Sequence, residues 1–387
     1  METVTWQPVP LRQFILKMHA RCNLACDYCY MYEAAEQSWR DSPRQMSAET
    51  LQRAGQRIAQ HARRHQLAKV EVIFHGGEPL LAGASMLARS AATLRATMPA
   101  GTAVAFSVQT NGTLLDEPAL AELLRENIRI AISVDGGQAT HDRHRRTIGG
   151  VGSHAAVVRA LRLLRSDEYR TLFAGVLTVI DLSADPVSVY ESLLEFAPPQ
   201  MDFLLPHANW STPPPRHGAP QDCGYGEWLA EVFNRWYGAP RQETRVRFFR
   251  EVIHLLLGGA SETEQIGLSP AAMIVVNTDG SLEQVDALRT AYAGAVQTGL
   301  SVFDHEMDEA LHHPAIVARQ IGLAALADTC QRCPVRRVCG GGHYAHRYRR
   351  GSGFRNPSVY CHDLQYLIRH VGSRLRRDLT AQRGPGR

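Results

Sequence analysis

The chain has 387 residues, of which 44% are hydrophobic and 21% are charged, and this composition excludes collagen-like, disordered and coiled-coil proteins. Its net charge is +4, with basic and acidic residues mixed throughout, so neither a nucleic acid nor a membrane is expected as a partner. There is no apolar run of about 18 residues and no secretory signal pattern, which predicts a cytoplasmic protein.

Strand-like and helix-like segments alternate from residue 12 to residue 206. The predicted strands are short and rich in Val, Ile and Phe: Arg12–Met18, Val70–His75, Ala103–Gln109, Ile128–Val134, Leu172–Ile180 and Asp202–Leu205. The predicted helices lie between them: Ser47–Gln66 with Ser47 as its N-cap, Ala84–Met98, Glu117–Glu126, Ser153–Leu164 and Pro186–Phe196. This alternation favours a parallel sheet with right-handed crossovers, and the sequence therefore predicts an α/β fold, a partial open (β/α)6 TIM-like barrel.

The second half of the chain does not continue this alternation of strands and helices. Its predicted elements are a surface loop at Asn209–Tyr225, a helical stretch at Glu227–Leu257 that breaks at Gly238–Pro240, and a hairpin at Met273–Val285. A cysteine-rich, loop-like region and a frayed Arg-rich tail after residue 374 follow. The predicted domains are a barrel (10–210), a loop and helical bridge (211–270), a cysteine-rich domain (271–370) and a tail (371–387).

Unusual residues follow each of the first four predicted strands, at the strand ends where βα barrels place their chemistry. These segments are a loop with three cysteines, Gly76-Gly77-Glu78-Pro79, Gln109-Thr110-Asn111-Gly112 and Ser133-Val134-Asp135-Gly136. Their shared position indicates one site built from four loops.

The eight cysteines predict metal or redox sites, because a cytosolic chain of this size does not rely on disulfides. They form a group of three, a group of four and a single residue: Cys22, Cys26 and Cys29; Cys330, Cys333, Cys339 and Cys361; and Cys223. A zinc site ordinarily takes four close ligands. Three thiolates would instead leave one iron of a [4Fe–4S] cube open to a small bidentate molecule.

The spacing Cys22-x3-Cys26-x-Tyr28-Cys29, followed by the Gly76–Pro79 segment, resembles the radical S-adenosylmethionine (SAM) superfamily. The resemblance implies that the three cysteines hold a SAM-binding [4Fe–4S] cluster. It further implies that the Tyr28 backbone contacts the adenine of SAM and that Gly77, in the turn it forms with Gly76, lies against the amino group. Ser133 and Asp135 would contact the ribose, and Arg145 would contact the carboxylate.

Some of these positions keep a second interpretation. Glu78 is either a cofactor contact or a strand-end carboxylate satisfied by its neighbours. Gln109 and Asn111 either contact the cofactor or substrate or hold turns. The segment His141–Arg146 could also be a basic nucleic-acid patch or a metal site, although one loop without interleaved aromatic residues favours neither.

The spacing of the second group, Cys330-x2-Cys333-x5-Cys339-x21-Cys361, would suit structural zinc, but it also resembles the auxiliary cluster of the SPASM domain. The resemblance implies one auxiliary [4Fe–4S] cluster ligated by all four cysteines. His343 and Val285 stand where a full SPASM domain has cysteines, so a second auxiliary cluster is not expected. Asp286 matches a catalytic base of related sulfatase-maturing enzymes, or it is a surface hairpin carboxylate.

Further segments are similar to the FxsB branch of SPASM enzymes: Phe14–Lys17, Asp27–Glu33, His75–Leu81, Leu204–Ala208, Cys339–Gly342 and Asn356–Cys361. This resemblance implies a ribosomally synthesised precursor peptide as substrate and an external electron donor of the flavodoxin or ferredoxin type. The implied product is a cyclophane, formed through a 5′-deoxyadenosyl radical that lets an aromatic ring join the Cβ of a nearby residue. The alternatives are thioether formation, epimerisation, or Ser/Cys oxidation as in sulfatase maturation.

A non-enzymatic alternative is a zinc-stabilised binding module. The short N-terminal segment predicts no separate leader-binding domain, which leaves leader recognition to the barrel, to residues 207–270 or to another protein. Cys223 lies in a Pro/Gly-rich loop and is expected to be a bystander.

Overall fold

The computed structural model describes residues 6–216, 218–219 and 221–383. Its strands are β1 (Gln13–His19), β2 (Lys69–Gly76), β3 (Ala103–Thr110), β4 (Arg129–Ser133), β5 (Phe173–Val179), β6 (Gln200–Leu204), β7 (Arg245–Val246), β8 (Met273–Val276), β9 (Ser281–Glu283) and β10 (Gln297–Ser301).

The helices of the first half are α1 (Ala48–Arg64), α2 (Ala84–Thr97), α3 (Glu117–Arg125), α4 (Gln138–His144), α5 (His154–Leu164) and α6 (Pro186–Leu194). Those of the second half are α7 (Gly224–Tyr237), α8 (Arg247–Leu256), α9 (Met307–Leu311), α10 (Pro314–Val317), α11 (Asp328–Gln331), α12 (Arg336–Cys339) and α13 (Cys361–Arg383). Short 3-10 turns cover Ser38–Arg40, Pro79–Ala82, Asp286–Thr290, Gly322–Ala325 and Tyr344–Arg347.

The chain forms two compact units. The first comprises the described residues of Met1–Leu177 together with Pro270–Ile321, and the second comprises Thr178–Ser269 together with Gly322–Arg387, as far as it is described. The hairpin strand β8 pairs in parallel with β1 and so belongs to the sheet of the first unit.

A parallel sheet organises the first unit. β1 pairs with β2, β2 with β3, β3 with β4 and β4 with β5, all in parallel, while β9 and β10 extend the β8 edge by antiparallel pairing. Alternate residues of β2 are buried, because successive side chains of a strand point to opposite faces. The parallel register places the carboxyl ends of β1 to β4 at one edge, as the sequence predicts.

Helix α1 shows how local sequence fixes these elements. Ser47 caps its N-terminus by accepting a hydrogen bond from the Thr50 amide at 3.0 Å. Leu51, Ala54 and Ile58 recur at helical spacing and are buried, so one apolar face packs inward. The cap and the apolar face are therefore both as predicted.

The predicted strands are all present within two residues of their predicted ends, and the hairpin at 273–283 is confirmed. The sequence did not predict α4, β7, β10 or the helices α9 to α12, which are too short to show a clear apolar period. Helix α13 continues to Arg383, past residue 374, where the sequence predicts a frayed tail. Tertiary packing stabilises its first half, in which Leu364, Leu367, Ile368 and Val371 are buried, whereas the described side chains after residue 374 are exposed or half-buried.

In the second unit, Asp363 fastens the start of α13 to the start of α7. Its carboxylate is almost fully buried and accepts the amide hydrogens of Tyr225 and Gly226 at 3.0 and 3.1 Å. Arg216 donates to its other oxygen at 2.6 Å. One carboxylate thus satisfies a helix N-terminus and a guanidinium at once.

Among the described residues, no helix combines the length and the apolar character that a membrane span requires.

We predict that Asp363→Ala lowers the free energy of unfolding by about 3–5 kcal/mol, because it leaves the Arg216 charge and two amides without their acceptor. Anaerobic denaturation of the reconstituted protein measures this loss. Asp378→Ala is the matched control, since Asp378 forms a partly exposed pair with Arg374 on the same helix and its loss should be small. Equal losses in the two variants would contradict the proposed role of Asp363.

Candidate active site

The loop after β1 brings the three cysteines to the carboxyl edge of the first unit's sheet. The Cys22 sulfur accepts hydrogen bonds from the Leu24 amide at 3.4 Å and from Nδ2 of Asn111 at 3.7 Å. The amides of Met31 and Tyr32 donate in the same way to the Cys29 sulfur. Amides aimed at sulfur stabilise thiolate charge, which suits a bound iron–sulfur cluster.

Burial acts against free thiolates at this loop. It raises the pKa of Cys22 to about 12 and that of Cys26 to about 11, and it also raises the pKa of Cys29. Ligation by a cationic centre is what makes a buried thiolate favourable.

Gly76 and Gly77 pack against the backbone that leads into the cysteine loop. A Cβ on Gly77 would lie 2.5 Å from the Arg21 carbonyl group and closer still to the Tyr32 hydroxyl, and one on Gly76 would lie 2.2 Å from the His19 carbonyl oxygen. The Gly77 amide also donates to the His19 oxygen at 2.9 Å. The requirement for glycine thus already arises from contacts within the protein.

Glu78 is fully buried and connects two strand ends. Its carboxylate accepts from the Leu80 amide at 3.0 Å, from the Thr110 hydroxyl at 2.7 Å and from the Asn111 amide at 2.8 Å. Burial raises its pKa to about 7 despite these bonds. These contacts are the ones expected of a satisfied strand-end carboxylate, the structural alternative that the sequence left open.

Asn111 extends this connection to the cysteine loop. Its Nδ2 group donates to Asn23 at 2.9 Å as well as to the Cys22 sulfur, and its Oδ1 accepts from the Thr113 amide at 2.9 Å. Gln109, near the end of β3, donates to the Ser133 hydroxyl at 2.9 Å. The two residues therefore hold neighbouring strand ends together, and Asn111 is placed against the cysteine loop.

Tyr28, Asp135 and Arg145 form one buried group. Arg145 Nε donates to Asp135 at 2.8 Å, the Tyr28 hydroxyl donates to the same carboxylate, and the guanidinium lies 5.4 Å from the Tyr28 ring centre. Cys26 lies within the electrostatic reach of Arg145, whose charge favours the thiolate. The structure thus brings together the residues that the sequence assigned to the adenine, ribose and carboxylate of SAM.

Asp286 is not a surface hairpin carboxylate, because its side chain is buried among cations. Lys17 Nζ donates to it at 2.6 Å and Arg289 Nε at 3.1 Å, while His75 Nδ1 lies 3.9 Å from its other oxygen. Burial alone would raise the pKa of Asp286, but the charges of Lys17 and Arg289 outweigh burial and hold the pKa below its ordinary range. Asp286 is therefore a weak base in this arrangement.

Glu283 balances the remaining charge in this cluster. Its carboxylate accepts from Arg289 Nη2 at 2.6 Å, so two carboxylates face Lys17 and Arg289 in a buried set of four charges. The sequence patterns assign no catalytic or binding role to Lys17, His75, Glu283 or Arg289. The available signal was Lys17, which interrupts the apolar run of β1 and is one of only two lysines in the chain.

The second cysteine group lies in the second unit and lines a cavity of about 100 Å3. The cavity wall includes all four cysteines: Cys330, Cys333, Cys339 and Cys361. Burial raises the pKa of Cys339 to about 12, and the Gly341 amide donates to its sulfur. Gln365 donates to the Cys361 sulfur at 3.5 Å. This convergence fits a fully ligated cluster.

The three glycines after Cys339 form a left-handed turn that Arg347 holds. Gly340, Gly341 and Gly342 have φ values of 59°, 79° and 67°, which favour glycine. The buried Arg347 guanidinium donates to the carbonyl oxygens of all three glycines, at 2.6 to 3.1 Å. A Cβ on Gly340 would meet the Gly267 oxygen at 1.6 Å.

The two positions where SPASM enzymes carry further cysteines have other environments here. The His343 ring packs with those of His207 and His346, with ring centres 5.1 to 5.8 Å apart. In the part of the chain that is described, neither ring nitrogen of the buried His346 has a hydrogen-bond partner. Val285 is a buried apolar residue beside Asp286. Cys223 lines a separate cleft of about 810 Å3 with Leu182, Asp185 and Trp228 among its walls.

The sequence profile of the radical SAM superfamily matches residues 16–183. Among curated relatives, a cysteine-type anaerobic sulfatase-maturating enzyme of Clostridium perfringens is 26% identical over 380 residues, covering 95% of this chain and 97% of the relative. A serine-type anaerobic sulfatase-maturating enzyme of Klebsiella aerogenes is 25% identical over 365 residues, covering 88% and 81%.

Two solved structures show the same fold. Native anSMEcpe with bound AdoMet and the Cp18Cys peptide has a TM-score of 0.82 at 23% identity, covering 96% of this chain and 99% of that one. Streptococcus suis SuiB bound to precursor peptide SuiA has a TM-score of 0.61 at 13% identity, covering 92% and 76%. The predicted α/β radical SAM fold is thereby confirmed, as are SAM and iron–sulfur clusters as the cofactors of the family.

We predict that Asp286→Asn and Lys17→Met each lower the free energy of unfolding by about 3–5 kcal/mol, because each leaves one uncompensated charge in the buried cluster. The double variant restores neutrality, since Arg289 and Glu283 remain paired. It should therefore lose clearly less stability than the sum of the single variants. Anaerobic denaturation of all four proteins measures the coupling, and strictly additive losses would show that the two side chains do not stabilise each other.

Proposed function

On the premise that residues 16–183 belong to the radical SAM superfamily, we propose that this chain is a SAM-dependent enzyme that oxidises a side chain of a peptide. The observation that supports this most strongly is the assembly of the cysteine loop and three strand-end segments at one edge of the sheet. The relatives support the substrate class, since they are named for maturing a protein, sulfatase.

Cys22, Cys26 and Cys29 would hold the SAM-binding cluster, and Tyr28, Asp135 and Arg145 would contact SAM beside it. The bound cofactors supply a radical that removes a hydrogen atom from an unactivated carbon. The chain itself supplies position and charge: Asp135 fixes the Arg145 guanidinium through its Nε, and Asn111 and Leu24 direct hydrogen bonds at the Cys22 sulfur. We further propose an external electron donor of the flavodoxin or ferredoxin type.

Cys330, Cys333, Cys339 and Cys361 would hold an auxiliary [4Fe–4S] cluster. Four protein ligands leave no open iron, so this cluster would serve electron transfer or structure rather than substrate binding. The buried Arg347 adds positive charge near Cys339 and Cys330, which favours their thiolate forms.

The finer activity that we propose is a cross-link between an aromatic ring and the Cβ of a nearby residue. A ring that has gained a carbon substituent and lost an electron is a strong acid, so its last proton needs only a weak base. Asp286 fits that requirement, because Lys17 and Arg289 lower its pKa while leaving it a carboxylate. The ribosomal precursor peptide and the FxsB-type product follow from the resemblance of the segments described above.

The second candidate is oxidation of a Ser or Cys side chain to an aldehyde. It is favoured by the relatives, since sulfatase-maturating enzymes match along nearly the whole chain. A Ser or Cys radical at Cβ that loses one electron becomes a protonated carbonyl or thiocarbonyl, which is also a strong acid, so a weak base such as Asp286 would serve either candidate. The FxsB-like segments favour the first candidate in this chain.

The two cysteine groups give a prediction for metal content. Anaerobic reconstitution should yield about eight irons per chain, four for each cube. Cys26→Ser should fall to about four irons and lose SAM cleavage, whereas Cys339→Ser should fall to about four irons and keep it. Cys223→Ser is the matched control and should keep both. Zinc bound through sulfur in place of four of the irons would refute the auxiliary cluster.

The product distinguishes the candidate activities. With SAM, a reductant and the precursor peptide encoded beside the gene, we expect a peptide that has lost two hydrogens and does not react with a hydrazide. Tandem mass spectrometry should show no fragments between the two joined residues. A hydrazide-reactive product would indicate an aldehyde, and an unchanged mass would indicate epimerisation; either result would overturn the cross-link. Cys26→Ser should give no product.

A further inference from the structure

We propose that His61, His65 and Asp308 form a binding site for a divalent transition-metal ion of the zinc class. This site lies in the first unit, between the C-terminal end of α1 and the start of α9. One nitrogen from each histidine and one carboxylate oxygen all lie within 4.8 Å of one another. The two imidazole rings have centres 4.5 Å apart, and both face Asp308.

The hydrogen-bond pattern of His61 favours a bound cation. His61 is fully buried, with Nε2 3.2 Å from the Leu11 carbonyl oxygen and Nδ1 3.1 Å from an Asp308 oxygen. Both of these partners accept hydrogen bonds and neither donates. A neutral imidazole has one N–H, so one of its nitrogens directs a lone pair at an acceptor. A metal ion bound between Nδ1 and Asp308 would accept that lone pair and so remove the repulsion between the two acceptors. The competing explanation is that the ring carries a second proton.

The surroundings match those of a metal-bound histidine. Such a histidine usually donates its other N–H to a carbonyl or carboxylate, and the Leu11 carbonyl oxygen is in that position for His61. His65 lies four residues further along, where helical geometry brings it to the same face. It reaches the other Asp308 oxygen through Nε2.

The ligand set selects the class of ion. Two imidazole nitrogens and one carboxylate suit zinc and neighbouring transition metals, whereas magnesium and calcium prefer oxygen ligands only. His65 and Asp308 are partly exposed, so water can complete the coordination shell. Arg64 contacts Asp308 at 3.2 Å and Glu306 at 2.7 Å, and its partly exposed side chain can keep the Glu306 contact when a metal binds.

The position of the site gives it a structural role. Leu11 precedes β1, so the site lies at the amino edge of the sheet, opposite the cysteine loop. A bound ion would fasten α1 to α9 and stabilise the folded first unit in proportion to its occupancy.

The test is zinc binding by the cluster-reconstituted protein. We expect about one added Zn2+ per chain after gel filtration, with an X-ray absorption shell of nitrogen and oxygen at about 2.0–2.1 Å and no sulfur at about 2.3 Å. His65→Ala and Asp308→Asn should each lose this zinc and the accompanying rise in melting temperature. His312→Ala, an exposed histidine beside α9, is the matched control and should bind as the unmodified protein does.

Three outcomes would overturn the proposal. Failure of the unmodified protein to bind zinc would leave a doubly protonated His61 as the explanation of its two contacts. Retention of zinc in both His65→Ala and Asp308→Asn would place the ion elsewhere. A sulfur shell would place it at a cysteine group. His61 itself is left unchanged, because truncating a fully buried ring would destabilise the fold for reasons unrelated to metal.

Discussion

The candidate active site depends on one buried carboxylate. Glu78 accepts hydrogen bonds from Leu80, just beyond β2, and from Thr110 and Asn111 at the end of β3. Asn111 in turn contacts the Cys22 sulfur, so two strand ends and the cysteine loop share one hydrogen-bonded unit. A carboxylate that is buried without water can be stable only when its oxygens are satisfied, and this requirement fixes the local geometry. These hydrogen bonds fix the position of the cysteine loop, and precise orientation of a radical requires such positioning.

A second constraint is the charge neutrality of the buried side chains around Asp286. Two carboxylates and two cations are buried together around Asp286, and removal of any one leaves an uncompensated charge. The cations that stabilise this buried group of charges also weaken Asp286 as a proton acceptor. Folding stability and proton transfer are therefore linked at Asp286. A reaction whose last proton is strongly acidic tolerates that compromise, and in both candidate reactions the proton would leave an oxidised, strongly acidic intermediate.

Sequence patterns predicted the features that depend on local order. The alternation of strands and helices, the Ser47 cap and the placement of the four motif segments all follow from short-range periodicity and turn chemistry. The partner of Lys17 could not be predicted, because it lies 269 residues away and only the β1–β8 pairing brings it near. The extension of α13 past residue 374 could not be predicted from its polar composition, because the helix begins in a packed segment that includes Leu364, Leu367 and Ile368. The internal satisfaction of Glu78 was an open alternative that only the three-dimensional partners could decide.

The two edges of the first unit's sheet carry different kinds of histidine and cysteine chemistry. At the carboxyl edge, three thiolates would leave a coordination position open for a reacting molecule, and the protein supplies amides and fixed charges around it. At the amino edge, His61 and His65 share a carboxylate, and a backbone carbonyl holds one ring in place. In βα folds the amino edge contributes stability while the carboxyl edge contributes chemistry. A zinc ion at His61, His65 and Asp308 would therefore stabilise the scaffold without competing for the iron–sulfur ligands, because nitrogen and oxygen donors at one edge and sulfur donors at the other select different metals.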